Sequence, residues 1–133
     1  MDKNKKIKEV VTQTTHYWRE EGAEILFGEV MTKADITLEH VVENHEKRQA
    51  LLPDGKPIPI VLNIKSILKI SKEARKYSAE TASDEFSCIA MIVDSGLSKV
   101  IGNYALFLNR PKIPTKLFNN AADAEKWVQQ YLA

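Results

Sequence analysis

The sequence predicts a single α/β domain, with a mostly parallel sheet of four or five strands, an N-terminal antiparallel hairpin and covering helices. Three observations predict it. Residues 58–64 and 86–93 are apolar almost throughout, which suits strands covered on both faces of a parallel sheet. Segments with helical spacing stand between and after these runs, the alternation that right-handed crossovers require. Before them, a segment rich in Thr, Tyr and Trp is followed by a turn and an alternating stretch, the pattern of a hairpin.

Taken in order, residues 1–12 carry Lys3, Lys5, Lys6 and Lys8 and read as a flexible N-terminal segment, with residues 13–133 as the one domain. Residues 13–18 form the first strand of the hairpin. Arg19-Glu20-Glu21-Gly22 is its turn, where Gly22 can supply a positive φ. Residues 23–30 alternate, with Ala23, Ile25 and Phe27 on one face. A helix follows, capped by Asp35 or Thr37, with Leu38, Val41, Val42, His45 and Gln49 on one side. Leu52-Pro53-Asp54-Gly55 ends it. The strand at 58–64 tolerates Pro59 near its start. Ser71 caps a second helix, about residues 72–83, whose charged residues fit an exposed face. After the strand at 86–93, a third helix over residues 97–109 begins behind Ser95-Gly96 and stops before Pro111. Residues 115–118 are a short strand, and Asn120 caps a last helix with Ala124, Trp127, Val128 and Tyr131 as its buried stripe. The order is β-β-α-β-α-β-α-β-α.

Composition excludes several classes of function. At 133 residues, 44% hydrophobic and 28% charged, the chain has the profile of one globular domain rather than a disordered segment. A net charge of +1 gives no global field for nucleic acid or an anionic membrane. Cys88 is the only cysteine, so no disulfide forms within the chain, and its apolar surroundings predict a buried, inert thiol. No leader-like core occupies the first thirty residues, and no apolar run approaches the ~20 residues that span a bilayer. The cytoplasm is the expected location.

Catalytic constellations are sparse. The five glycines, at 22, 28, 55, 96 and 102, make no phosphate-cradling loop. His40 and His45 stand about 140° apart around their helix and cannot grip one ion together. His45 reads as a partly buried histidine with a local hydrogen bond. No nucleophile elbow is present. The paired carboxylates Glu20-Glu21 and Asp84-Glu85 fall at turns, where solvent leaves them ordinary. Lys65, Lys69, Lys72, Arg75 and Lys76 gather near the start of the second helix, but Glu73 and Glu80 interrupt them, so a solvated face is expected rather than a nucleic-acid surface. The expectation is a protein without catalytic residues, metal or cofactor, and not an enzyme.

Two stretches carry a resemblance. One runs from Ile60-Val61-Leu62-Asn63-Ile64 to Ser71-Lys72-Glu73-Ala74-Arg75. The other runs from Ile89-Ala90-Met91-Ile92-Val93-Asp94-Ser95-Gly96 through Asn109-Arg110-Pro111-Lys112 and Pro114-Thr115-Lys116-Leu117-Phe118 to Ala124-Glu125-Lys126-Trp127. Together they resemble a family of small bacterial domains of the SpoIIAA-like type, related in fold to the STAS domains of anti-sigma-factor antagonists and more distantly to lipid-carrying CRAL-TRIO domains. The resemblance implies a four- or five-stranded sheet with helices, no known catalytic site, and a role in protein contact or apolar-ligand binding. In the antagonists a strand ends in Asp-Ser at a helix start, and a partner kinase phosphorylates that serine. The corresponding place here is Ser71-Lys72, with Ser71 at the aspartate and Lys72 at the serine. Ser71 serves only with a register shift of one residue, and its other reading is a simple N-cap.

The third helix holds the remaining signal. Its core stripe is predicted as Leu97, Val100, Ile101, Tyr104 and Leu108, which leaves Leu106 nearly opposite and Phe107 at the edge. Either this helix exposes an apolar binding surface or residues 106–108 pack as an extended segment. The first reading makes Ile101, Tyr104, Leu106 and Phe107 candidate partner-binding residues. The expected function is then a non-enzymatic interaction module that binds a protein partner, a second copy of itself, or an apolar small molecule or lipid. The alternative is an antagonist-like regulator controlled by phosphorylation at Ser71 or Ser66.

Overall fold

A computed structural model describes residues 6–31, 33–53, 56–101 and 112–132. Its main sheet has six strands in the order β1-β2-β3-β5-β7-β8: β1 (Lys6–Val11), β2 (Thr15–Glu20), β3 (Leu26–Val30), β5 (Ile58–Asn63), β7 (Phe86–Ile92) and β8 (Thr115–Phe118). The first three strands form an antiparallel meander, and β3, β5, β7 and β8 run parallel. The predicted fold class therefore stands, with the two apolar runs side by side and parallel strands on both flanks. Pro59 offers no N–H to the ladder, and the β5–β7 register slips where it sits, between Ile58 and Ile60.

The strand count exceeds the expected four or five because Lys6–Val11, inside the segment expected to be flexible, pairs with β2. Its charged residues hid the pattern. An edge strand with one side open to water accommodates lysine and is protected by it against further pairing. Gly22 takes the predicted positive φ, +80°, but the turn falls later than expected, over residues 21–25, because Arg19 and Glu20 continue β2 and Arg19 pairs with Leu26.

A second, two-stranded parallel sheet was not predicted. It pairs β4 (Ala34–Ile36) with β6 (Ile67–Ile70). Each strand leads straight into a helix, β4 through Thr37 into α1 (Leu38–Arg48) and β6 through Ser71 into α2 (Lys72–Glu85). Their pairing, extended by the Ser71 N–H to the Ile36 carbonyl at 2.9 Å, sets the starts of the two helices side by side. Ser71 is the N-cap of α2, its hydroxyl accepting from the Ala74 N–H at 3.1 Å. At the start of α1, the Thr37 N–H donates to Nδ1 of His40 at 3.1 Å.

The crossovers β3→β5, β5→β7 and β7→β8 all step in one direction across the sheet, so crossovers of one hand place α1, α2 and α3 on the same face. Of α3, residues 97–101 are described. Asp94 organises its start. The Asp94 carboxylate accepts from the Gly96 N–H and the Ser98 hydroxyl, both at 2.9 Å, and these bonds hold its pKa below the ordinary aspartate value. The opposite face is covered by α4 (Ala121–Val128), capped by Asn120, whose side chain accepts from the Asp123 N–H at 2.8 Å. Ala124 and Val128 are fully buried there against Cys88 and Val61, with Trp127 packed between Phe118 and Tyr131. This is the predicted stripe. Among the described residues, no helix is long and apolar enough to cross a membrane.

Candidate functional site

Strand alternation decides what faces α1–α3. Thr15 and Tyr17 on β2, Leu26 and Val30 on β3, and Ile58, Ile60 and Leu62 on β5 point to that side, while Phe27, Val61 and Cys88 point to α4. Above this floor, α2 presents small side chains, Ser78, Ala79 and Ala82, which leave space between helix and sheet. The result is a cavity of about 170 Å³. Leu62, Ile89 and Met91 line it from below, Val41 and Ala82 from the helices, and Ile101 from the start of α3.

Gly28 helps to shape the floor. It pairs with Tyr17 across β2 and β3, and a Cβ there would lie 2.8 Å from Leu62 Cδ1 and 2.9 Å from two Tyr17 ring carbons. A side chain at position 28 is therefore excluded by Tyr17, whose ring lies over it and whose hydroxyl accepts from Nη1 of Arg48 at 2.9 Å.

One end of the cavity is ionic and closed on itself. Glu85, the last residue of α2, is 1% exposed. A carboxylate at a helix C-terminus meets an unfavourable dipole, and burial adds to the cost, so it needs strong partners. Arg48 supplies them, with Nε to Oε1 at 3.0 Å and Nη2 to Oε2 at 2.7 Å. Gln49 Nε2 donates to Oε1 at 3.0 Å. His45 Nδ1 lies 3.1 Å from Oε2, a close approach without good hydrogen-bond alignment. The Arg48 guanidinium also stands over the rings of Tyr17 and Phe86, at 5.2 and 5.3 Å. Burial works against its charge, but the Tyr17 oxygen and the Glu85 carboxylate outweigh it and raise its pKa above the usual arginine value.

Asn44, one helical turn before Arg48 on α1, lines the cavity and is 5% exposed. Its Nδ2 donates to Thr14 Oγ1 at 3.3 Å, next to Thr15 Oγ1 at 3.0 Å from Thr14 Oγ1. Its Oδ1 is buried and has no hydrogen-bond partner among the described residues. Arg75 also reaches the cavity, and its Nη1 donates to the Ile70 carbonyl at 3.0 Å.

The residues singled out by sequence fare unevenly. Ile101 is half-buried and lines the cavity, whereas Tyr104, Leu106 and Phe107 lie outside the described residues. The predicted stripe of α3 is corrected at its start. Leu97 and Val100 are 49% and 60% exposed, and Ser98 is the buried residue, drawn inward by its hydrogen bonds with Asp94. Ser71 is half-buried with its hydroxyl engaged in capping, and half-buried Ser66 sits in the β5–β6 turn, where its carbonyl accepts from the Ala34 N–H. His45 is partly buried as expected, beside Glu85.

The reading of Asp84-Glu85 as an ordinary solvated pair is overturned at Glu85, because α2 runs two residues further than predicted and turns that carboxylate under Arg48. The buried face of α1 is corrected too. Val41 and Asn44 are buried while Leu38 is 41% exposed. Sequence reasoning missed Tyr17, Asn44, Arg48 and Glu85. The available signal was the spacing 41-44-45-48 on α1, a stripe on which polar residues replace apolar ones.

Comparison with solved structures finds an uncharacterised protein of the DUF3478 family with a SpoIIAA-like fold, from Shewanella loihica PV-4. It is 17% identical, with a TM-score of 0.57, over 91% of this chain and 90% of that one. At that identity the likeness shows the fold, and it agrees with the resemblance read from sequence. No curated protein matches the chain. A family model described as a domain of unknown function, DUF7793, matches residues 17–132.

Proposed function

The chain belongs to the DUF7793 family, and we propose that it is a non-enzymatic binding module that holds a small apolar molecule between its sheet and α1–α3. The observation that carries this reading is the cavity itself, about 170 Å³ and walled by aliphatic side chains. An apolar cavity of about 150 Å³ suffices to take up benzene, so one of this size accepts a single aromatic ring or a short aliphatic chain. The absence of catalysis is inferred from how the charged groups are spent. Arg48 and Glu85 are committed to each other and to Tyr17 and Gln49.

Titration with toluene, followed by amide chemical shifts, tests the reading. Saturable shifts confined to α1, α2, β5, β7 and the start of α3 are expected, and Ala79→Phe, which fills the space, should abolish them. A titration without saturable shifts in the wild-type protein sinks the proposal.

A second reading rests on Leu97 and Val100, two large apolar residues exposed on adjacent turns of α3. They favour a contact with a protein partner or a second copy on the outer side of the same segment. Sedimentation at micromolar concentration tests the second-copy version. A lone monomer, unchanged by Val100→Glu, removes it.

A further inference from the structure

We propose that the end of the domain where α1, α2 and α3 begin docks on an anionic lipid surface. This assignment goes beyond the protein contact read above from Leu97 and Val100, and the cavity plays no part in it. Five large apolar residues are exposed among the described residues, and four of them gather here. Leu38 is the first residue of α1, Leu68 lies on β6 just before α2, and Leu97 and Val100 open α3. The parallel run of β3, β5 and β7 brings these starts to one edge of the sheet, and the β4–β6 pairing sets the first two side by side. The fifth, Val11, ends β1 opposite His16 and belongs to the α4 face.

Lysines stand among these apolar residues. Lys33 leads into β4, Lys65, Lys69 and Lys72 surround Leu68 in the chain, and Lys99 lies between Leu97 and Val100. All five are exposed, and none is in an ion pair among the described residues. The exposed carboxylates of these segments are Asp35, Glu39, Glu73 and Asp94. Glu39 and Glu73 sit in the first turns of α1 and α2, where the positive helix ends offset their charge. Asp94 turns back onto the Gly96 N–H and the Ser98 hydroxyl. Lysine also has the longest stem of these side chains, so an approaching surface meets ammonium groups first. The attraction is local, since a net charge of +1 gives none at long range.

The mixture of lysine with leucine and valine decides between occupants. The core of a protein interface is depleted in lysine and gathers its apolar area together. A bilayer surface accepts the mixed pattern, because each apolar side chain enters the acyl boundary on its own while lysines stay with the headgroups.

Flotation of the full chain with lipid vesicles tests the proposal. Vesicles of phosphatidylglycerol mixed equally with phosphatidylcholine should bind the protein at least about tenfold more tightly than phosphatidylcholine alone, and about 0.5 M salt should remove most of that difference. Lys65→Gln, Lys69→Gln and Lys72→Gln should each weaken binding about fivefold. Leu97→Gln and Val100→Gln should each weaken it about tenfold, the loss of one inserted apolar side chain. These positions are exposed, so the variants should keep the wild-type fold. Val11→Thr, which trims apolar surface on the α4 face, should leave binding unchanged. Protein that does not float with the anionic vesicles overturns the proposal, and a dimer broken by Val100→Gln would then assign the surface to a second copy. Equal affinity for the two kinds of vesicle, or an equal loss in Val11→Thr, overturns it as well.

Discussion

Arg48 grips Glu85 through two parallel contacts of 3.0 and 2.7 Å, joining the last residue of α1 to the last residue of α2. The side chains are 12% and 2% exposed, so neither charge has much water to fall back on. Removing one partner strands the other. Glu85→Leu should cost about 3–5 kcal/mol in urea unfolding, and Arg48→Met a similar amount. The double variant should recover most of the loss, because two apolar side chains then meet. Single losses below about 1 kcal/mol that simply add in the double variant would mean that water screens the pair.

Gly28 offers a separate test of the floor. A methyl group there would press on Leu62 and on the Tyr17 ring at 2.8–2.9 Å. Gly28→Ala should therefore destabilise the domain by about 1–3 kcal/mol, although its backbone conformation needs no glycine. It should also displace the Tyr17 hydroxyl from Arg48, visible as a shifted Arg48 side-chain resonance. A neutral substitution would show that Tyr17 does not lie across position 28.

Ser71 separates capping from signalling. Ser71→Ala should cost about 1 kcal/mol through loss of the bond to the Ala74 N–H, and Ser71→Asp, which retains a capping oxygen, much less. Equal stability of all three proteins would leave the hydroxyl free for the phosphorylation role. Mass spectrometry of protein from its native host would then decide that role.

The Asp94 carboxyl gives the pH dependence a definite sign. Hydrogen bonds from the Gly96 N–H and the Ser98 hydroxyl hold its folded pKa below the reference 3.8. A depressed folded value means that the carboxylate stabilises the start of α3 at neutral pH. This contribution is kept above the unfolded pKa and lost as pH falls through the folded one. A carbon-detected titration of Asp94 should give a midpoint below 3.8, and Ser98→Ala should move it upward. A wild-type midpoint at or above the reference value would contradict the loop geometry.

The parts of this protein that were legible in its sequence are those where one local signal decides. β5 and β7 announced themselves as almost wholly apolar runs, β8 matched to the residue, and Asn120 and Ser71 stood as caps before helical spacing. β4 and β6 did not, since strands of three and four residues have too little room for alternation. The ionic end of the cavity was hidden for a different reason. A glutamate at a helix end reads as solvated unless the arginine above it is known, and Arg48 and Glu85 are 37 residues apart in the chain. Asn44 carried a hint, a polar residue on a buried stripe, but the Thr14 hydroxyl it bonds lies 30 residues away in the chain.

The seal over Cys88 has a practical corollary. Its thiol is 0% exposed beneath α4, and burial pushes its pKa up to about 11, so native protein offers almost no thiolate to an oxidant or an alkylating reagent at neutral pH. Because it is the chain's only sulfhydryl, a cysteine introduced at Ala79 would be the one group open to maleimide or a spin label. Occupancy of the space beside α2 could then be followed as a slowing of that reaction, with the native cysteine left in place.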